Sequence, residues 1–266
     1  MARQICATCV GAAFGLLLLD LPTVASAQTL GSSTIRGFVS LNAGGAHPAV
    51  PSFSDVAVDV YGINRDEVRA DYRVKNGKSL DVGGGVILGR GFLVGLAVSN
   101  SANKQPADLT LTLAHPQFHP TLTATTQTGA LNHTETGVHI ELGYALPQIK
   151  RVDVLVFAGP THFSVSQPLV VDFVADETFD RTRRTYSAVV SDPITERKTG
   201  GAWGYHVGTD VSVRVTRLVG IGGLVRYSKA TVGLDNPMES MLHNRTVTQD
   251  LNAGGWQMSG GVRLRF

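Results

Sequence analysis

The sequence predicts an all-β protein whose strands close into an antiparallel up-and-down transmembrane β-barrel. Three observations support this fold class. Apolar residues recur at every second position over many short segments, which is the period of a half-buried strand. Short and long connections alternate along the chain, as they do in membrane barrels. Beyond the first residues, no stretch of 18 apolar residues is available for a helical span.

The start of the chain is typical of an export signal. Arg3 supplies a positive charge, residues 5–19 are apolar, and Ala-Ser-Ala at 25–27 gives the small-x-small pattern that a signal peptidase cuts after. An uncleaved membrane anchor is the alternative interpretation. We expect a signal peptide over residues 1–27 and a mature barrel over residues 28–266.

Cysteine content and charge exclude several classes of function. Cys6 and Cys9 both lie inside the predicted signal peptide, so the mature chain would have neither a disulfide nor a thiolate metal site. The net charge is +2, from 23 basic and 21 acidic residues, and the basic residues are scattered rather than clustered. We therefore expect no nucleic-acid partner, no metal and no cofactor.

Counting back from Phe266, the alternation predicts eight strands, each about as long as a tilted membrane strand requires. An even number of strands places both ends of the chain on one side of the membrane. The predicted strands cover residues 34–42, 79–88, 92–100, 134–146, 152–165, 201–215, 219–232 and 254–266.

The connections between these strands are of two kinds. Tight turns are predicted at 89–91, 147–151 and 216–218, on the inner side of the membrane. The long connections would be extracellular loops, near residues 43–65, 101–133, 167–200 and 233–253. These loops contain further alternation, so we expect strands to continue outside the membrane as hairpins.

Residues 68–75 complicate the strand count. Their apolar positions have the same parity as those of the strand at 79–88, and we interpret them as that strand continuing above the membrane. The alternative is an extra hairpin and a barrel of ten strands.

Aromatic residues support a membrane environment. The predicted strand directions sort the outward-facing rings into two levels, with small aliphatic residues between them. Amphipathic rings prefer the headgroup zone of a bilayer, so two levels are typical of aromatic girdles. The outer level contains Trp203, Tyr205, Tyr227 and Trp256, and the inner level contains Phe92, Tyr144 and Phe266.

Several motifs resemble the small outer-membrane β-barrels of the OmpA transmembrane-domain and OmpX kind. The matching segments are DVGGGV at 81–86, VGIGGL at 219–224 and the final GGVRLRF at 260–266. The resemblance covers about residues 34–266. It implies a monomer in a bacterial outer membrane, in contact with lipid and lipopolysaccharide, with Phe266 as the signal read by the outer-membrane assembly machinery.

Charged residues at inward positions predict an ion-pair network in the barrel lumen. An eight-stranded barrel is barely wide enough for its own side chains, and an unpaired buried charge is costly, so these charges must pair. A narrow polar conduit is the alternative. We expect Asp153, Arg214 and Arg265 to touch near the inner end. The whole predicted set is Arg36, Asp81, Glu141, Asp153, Asp210, Arg214, Arg226, Arg263 and Arg265.

No catalytic arrangement is recognisable in the sequence. His206 and Asp210 share one strand face, but four residues of strand span ~13 Å, so the two cannot hydrogen-bond directly. His139 and Glu141 have the same difficulty. Serine candidates such as Ser259 have no evident partner. We therefore predict that the protein is not an enzyme.

These observations favour an integral outer-membrane protein with a structural or surface-interaction role, in which the outer loops contact an extracellular ligand. A small solute channel of the porin type is the alternative. An outer-leaflet lipid-modifying enzyme is the third hypothesis.

Overall fold

The structure, a computed structural model, describes residues 36–61, 64–114, 121–182, 185–236 and 247–266. Within these ranges, no helix is long and apolar enough to cross a membrane. The predicted signal peptide at 1–27 lies outside the described residues, as does part of the predicted loop at 233–253.

Nearly all of the described chain is extended, as period-2 alternation predicts. The strands are numbered in chain order: β1 (Arg36–Pro48), β2 (Ser52–Tyr61), β3 (Asn64–Arg73), β4 (Gly77–Ile87), β5 (Phe92–Gln105), β6 (Ala107–Ala114), β7 (Thr121–Gln127), β8 (Leu131–Ala145), β9 (Val152–Asp180), β10 (Thr185–Arg214), β11 (Val219–Asn236) and β12 (Val247–Arg265).

Eight of the described strands close a ring in the order β1-β12-β11-β10-β9-β8-β5-β4. Every pairing is antiparallel, and β1 pairs with both β12 and β4. Gly37 and Phe266 complete the β1–β12 seam, each N–H donating to the other's carbonyl at 2.9 and 3.0 Å. The prediction of a closed eight-stranded barrel is confirmed, and the ring does not contain the ten strands of the alternative.

The two ends of the ring differ. At one end, here called the inner end, short turns join β4 to β5, β8 to β9 and β10 to β11. In the last of these turns, the Thr216 hydroxyl accepts hydrogen bonds from the N–H groups of Leu218 and Val219 at 3.3 and 2.9 Å. The long connections lie at the opposite, outer end. This is the alternation of short and long connections that the sequence predicts.

The prediction for residues 68–75 is wrong. Val68–Arg73 belongs to β3, which pairs with β2 and β6 in a separate four-stranded sheet of order β2-β3-β6-β7. The interruption at residues 74–76 separates β3 from β4. The apolar residues occupy even-numbered positions on both sides of this three-residue break. Alternation alone therefore cannot distinguish one long strand from two strands in different sheets.

The segments predicted as loops are largely strand. Residues 101–133 contain β6 and β7, and the region 167–200 is a hairpin in which β9 and β10 stay paired from Val152 and Val213 out to Asp180 and Thr185. The physical reason is burial. Alternate apolar residues of these segments pack on one another, so the backbone pairs in strands and satisfies its own hydrogen bonds.

The four-stranded sheet packs on the outer parts of the barrel strands around an apolar cluster, here called the outer core. Burying a residue such as Leu109 completely contributes about 1.5–3 kcal/mol. The most deeply buried members are Ala57, Ala70, Tyr72, Ala107, Leu109, Leu111, Phe163, Val165, Leu169, Val170, Val232, Leu234 and Ala253.

Tyr72 joins the four-stranded sheet to the barrel. Its ring stacks on Phe53 at 4.7 Å between centroids, and its side chain is 2% exposed. The Tyr72 hydroxyl accepts a hydrogen bond from the Val170 N–H on β9 at 2.7 Å. Burial raises the pKa of the Tyr72 phenol, the Val170 hydrogen bond lowers it and the Asp55 charge raises it, with a net increase well above the ordinary value.

Replacing Tyr72 by Phe should therefore loosen the sheet by about 1–3 kcal/mol, because the Val170 N–H loses its buried partner. The phenol must stay neutral when docked, so in the native protein docking is at full strength below about pH 10 and weakens as the pH rises further. Proteolysis of residues 52–73, followed by mass spectrometry at pH 8 and pH 11, measures both effects.

In this experiment Tyr72→Phe should be cleaved faster than the native chain at pH 8. It should lack the part of the increase in cleavage rate between pH 8 and pH 11 that arises from ionisation of Tyr72. The matched control is Tyr205→Phe, since Tyr205 is exposed on the barrel. If the cleavage rate rose equally between pH 8 and pH 11 in the native chain and in Tyr72→Phe, the pH effect would not arise from Tyr72.

Candidate functional site: the barrel interior

The barrel strands place apolar side chains outside and polar side chains inside. On β12, Met258 and Val262 are about half exposed, whereas their neighbours Gln257 and Arg263 are buried. This is the reverse of a water-soluble barrel, whose apolar residues face inward. An apolar exterior around a polar interior is the arrangement of barrels that contact lipid.

The predicted aromatic residues lie on this exterior at two levels. Tyr227 and Trp256 are register partners with rings 5.2 Å apart, and Trp203 contacts His162 edge-on at 5.2 Å. Tyr205 is 54% exposed on the same face of β10 as Trp203. These four predicted residues form the outer level.

At the inner level, Phe92 and Tyr144 meet edge-to-face at 6.0 Å, and Phe266 is 71% exposed. Trp256 on β12 and Phe266, which directly follows the last residue of that strand, mark the two levels. The usual rise per residue separates them by ~33 Å along the strand direction. At a strand tilt of about 40° this is roughly 25 Å along the barrel axis, which is the height of the apolar band in outer-membrane barrels.

Inside the ring, two guanidinium groups link three carboxylates in what we call the central network. Arg226 donates to Asp81 at 2.7 Å and to Glu141 at 2.8 Å. Arg263 donates to Asp210 from two of its nitrogens. Asn42 connects the halves, because its amide donates to Asp81 at 3.0 Å and its oxygen accepts from Arg263.

A second cluster lies at the inner end of the barrel. Arg214 binds Asp153 through two hydrogen bonds of 2.8 Å, and Arg265 approaches the same carboxylate at 2.9 Å. The structure thus brings together the three residues that the sequence places low in the barrel. This cluster has two cations for one carboxylate, whereas the central network has three carboxylates for two cations. The surplus charge of one cluster therefore offsets that of the other.

Arg36 is the predicted network residue that lies outside both clusters. Its side chain is exposed at the start of β1, and it forms no ion pair with any residue that the structure describes. Because Arg36 is exposed, water can solvate the guanidinium and pairing is not required.

A third polar group, which the sequence analysis missed, crosses the outer half of the lumen. Ser99 Oγ lies 2.8 Å from His139 Nε2, His139 Nδ1 lies 2.8 Å from Thr161 Oγ1, and Thr161 Oγ1 lies 2.8 Å from His206 Nδ1. Of the histidine–acid pairs considered in the sequence, His206 and Asp210 therefore have separate partners, as do His139 and Glu141. The new contacts join neighbouring strands, and only the register reveals them.

A fourth polar group ties β8 to β12. His133 lies 2.7 Å from Gln167 Oε1 and 2.8 Å from Glu135 Oε1. The other Glu135 oxygen accepts from the Gly254 N–H at 3.0 Å. Gly254 has a φ of +89°, a conformation that costs glycine little and lets β12 turn this N–H toward the lumen.

Two small cavities in the lumen are lined by described residues. A cavity of about 40 Å³ lies among Ser79, Ser99, Glu135 and Gln257. A second cavity, of about 10 Å³, lies beside Arg226 and Phe157. At least 10–15 Å³ is needed for one water molecule, so the first cavity has room for about three and the second for at most one.

No protein-family model and no curated protein matches the chain. Among solved structures, it is similar to the outer membrane protein OprG from Pseudomonas aeruginosa, with 8% identity, a TM-score of 0.48, and coverage of 90% of this chain and 99% of that one.

Two further structures are similar. Neisserial surface protein A has 12% identity and a TM-score of 0.43, with 89% of this chain and 100% of that one covered. The outer membrane protease OmpT from Escherichia coli has 9% identity and a TM-score of 0.40, with 91% and 99% covered. The chain resembles outer-membrane β-barrel proteins that differ in role, and the similarity transfers none of those roles to it.

The central network yields a stability prediction. Replacing Arg226 by Met leaves Asp81 and Glu141 buried without their shared cation, which should lower the free energy of unfolding by about 3–5 kcal/mol. Urea titration of the refolded protein in detergent, followed by tryptophan fluorescence, measures this change.

Arg214→Met is the matched control. The Arg214 side chain is 30% exposed and Asp153 keeps its contact with Arg265, so the loss should stay near or below about 1 kcal/mol. Adding Asp81→Asn and Glu141→Gln to Arg226→Met should recover part of the loss. If Arg226→Met and Arg214→Met lowered the free energy of unfolding equally, the central network would contribute no more to stability than the cluster at the inner end.

Proposed function

We propose that the chain is an integral protein of a bacterial outer membrane, with a structural and surface-interaction role. The observation that carries this proposal is the apolar exterior between two aromatic levels roughly 25 Å apart, around an interior that holds the charged groups. In water this exterior would expose a continuous apolar belt, which soluble monomers rarely tolerate.

The filled interior supports a non-conducting barrel over a solute channel. The central network spans β1, β4, β8, β10, β11 and β12, so its side chains reach across the lumen. The outer core adds apolar packing at the outer end. An ion crossing such a barrel would have to separate buried charge pairs, at a cost of several kcal/mol each.

The outer elements support the surface-interaction role. Beyond its contacts with the outer core, the β9–β10 hairpin continues to a tip where the Phe179 and Tyr186 rings lie 4.7 Å apart. Val174, Val189 and Ile194 are also exposed on this hairpin. A two-stranded ribbon with exposed apolar and aromatic side chains is suited to contacting an extracellular ligand or lipopolysaccharide.

The geometry does not favour a lipid-modifying enzyme that uses His206. This side chain is 1% exposed and faces the interior, whereas lipid would lie on the opposite face of β10. The β1–β12 closure leaves no unpaired edge among the membrane strands, which supports a monomer. We also propose removal of residues 1–27 and recognition of Phe266 by the assembly machinery.

Cell fractionation tests the location. In a Gram-negative host the protein should sediment with outer membranes, start at Gln28 by mass spectrometry, and migrate differently on gels before and after boiling. Cleavage of the β9–β10 tip by protease added to whole cells would support its position outside. Recovery of the mature protein in the soluble periplasm, with no effect of boiling, would refute the membrane assignment.

Planar-bilayer recording tests the closed interior. The purified full chain should give no discrete openings above the detergent baseline, because the side chains fill the lumen. A known porin purified in the same detergent serves as the positive control. Reproducible single-channel steps from the native chain would overturn the non-conducting proposal while leaving the membrane location intact.

A further inference from the structure

The Ser99 hydroxyl is paired with an imidazole in a way that the ion-pair clusters do not explain. Ser99 Oγ and His139 Nε2 are 2.8 Å apart, on the neighbouring strands β5 and β8. Gly137, two residues before His139 on β8, is the register partner of Ser99. A Cβ at position 137 would lie 2.9 Å from His139 Nε2 and 3.0 Å from Ser99 Oγ. The absence of a side chain there leaves the room that this contact needs.

The other side of the imidazole is held in place. His139 Nδ1 and His206 Nδ1 both lie 2.8 Å from Thr161 Oγ1, and all three residues are at most 1% exposed. These groups can satisfy one another with Ser99 donating to His139, His139 donating to Thr161, and Thr161 donating to His206. In that arrangement His139 Nε2 is free to accept the serine proton, as a general base must be.

Ser99 also faces an unfilled polar chamber. Its volume of about 40 Å³ holds about three water-sized groups, which is the size of an acetyl group. Ser79 and Gln257 line it, and Ser79 Oγ and Gln257 Nε2 have no hydrogen-bond partner among the described residues. Exposed His47 and Lys75 complete the lining, so the chamber reaches the surface.

We propose that Ser99 is a nucleophile that accepts short acyl groups from esters, with His139 as its general base and Thr161 as the positioning residue. This inference goes beyond the proposed function. Ser99 Oγ forms a bond to the ester carbonyl carbon while its proton passes to His139 Nε2. The bond to the leaving oxygen then breaks, His139 protonates that oxygen, and an acyl-serine and an alcohol result.

Water completes the cycle without a cofactor. It attacks the acyl carbon, gives its proton to His139, and releases a carboxylic acid as the proton returns to Ser99. Because the chamber is small, acetyl esters should react and long-chain esters should be excluded.

The experiment uses the full folded chain in detergent with p-nitrophenyl acetate. Nitrophenol release and peptide mapping by mass spectrometry should show a single acetyl group on Ser99. Ser99→Ala should abolish this acetylation, whereas Ser187→Ala, which is exposed on the β9–β10 hairpin away from the chamber, should leave it unchanged. p-Nitrophenyl laurate should react at least about tenfold more slowly.

Thr161→Val separates positioning from folding. It removes the hydroxyl and keeps the shape, and it should slow acetylation about 100-fold or more, the usual range for general-base assistance, while the boiling-dependent gel shift persists. Thr161→Ser should restore the rate to within several-fold. The proposal fails if Ser99 is not acetylated in the native chain, if Ser187 is acetylated as fast, or if folded Thr161→Val reacts normally.

Discussion

The constraint on which the structure depends is that charges enclosed by eight strands must find partners in very little space. Arg226 and Arg263 are 1% and 2% exposed, and isolated charges so deeply buried would be prohibitively costly. Arg226 contacts carboxylates on β4 and β8, and Arg263 contacts one on β10, so none of these partners is on the arginine's own strand. The ion pairs therefore link strands that are not neighbours in the ring. They hold distant strands at fixed separations, and they exist only when the ring is closed and correctly registered.

The outer end of the barrel is stabilised differently. There the strands continue beyond the apolar belt, and their inward faces change from charged residues to Leu, Val and Phe, which pack under the four-stranded sheet. Tyr72 supplies a hydrogen bond at this contact, and the Gln249 amide donates to the Ser54 carbonyl from β12. The same ring strands are thus stabilised on their inward faces by ion pairs within the apolar belt and by hydrophobic packing beyond it.

The alternation of apolar residues and the lengths of the connections predicted the barrel well, because both depend only on residues that are close together in the sequence. They gave the eight ring strands and the outward set that includes Trp256 and Phe266. The same pattern failed at residues 68–75, where parity carried across a break into a second sheet. It could not identify the partners of Arg226, which are 145 and 85 residues away. The contact between Ser99 and His139 depends on the β5–β8 register and on the space at Gly137, neither of which leaves a trace in composition or motif.

The seam between β1 and β12 has a kinetic consequence. Gly37 and Phe266 are hydrogen-bonded, yet they are the most distant positions in sequence that the described ring joins. Hairpins such as β4–β5 can form early from local contacts, whereas the seam needs the loop-closure entropy of the whole chain to be overcome. Until it forms, β1 and β12 each present an open row of amide and carbonyl groups that can pair with other chains. We therefore expect ring closure to be the slow, aggregation-sensitive step of folding, so that catalysis of that step would protect this protein more than acceleration of any hairpin.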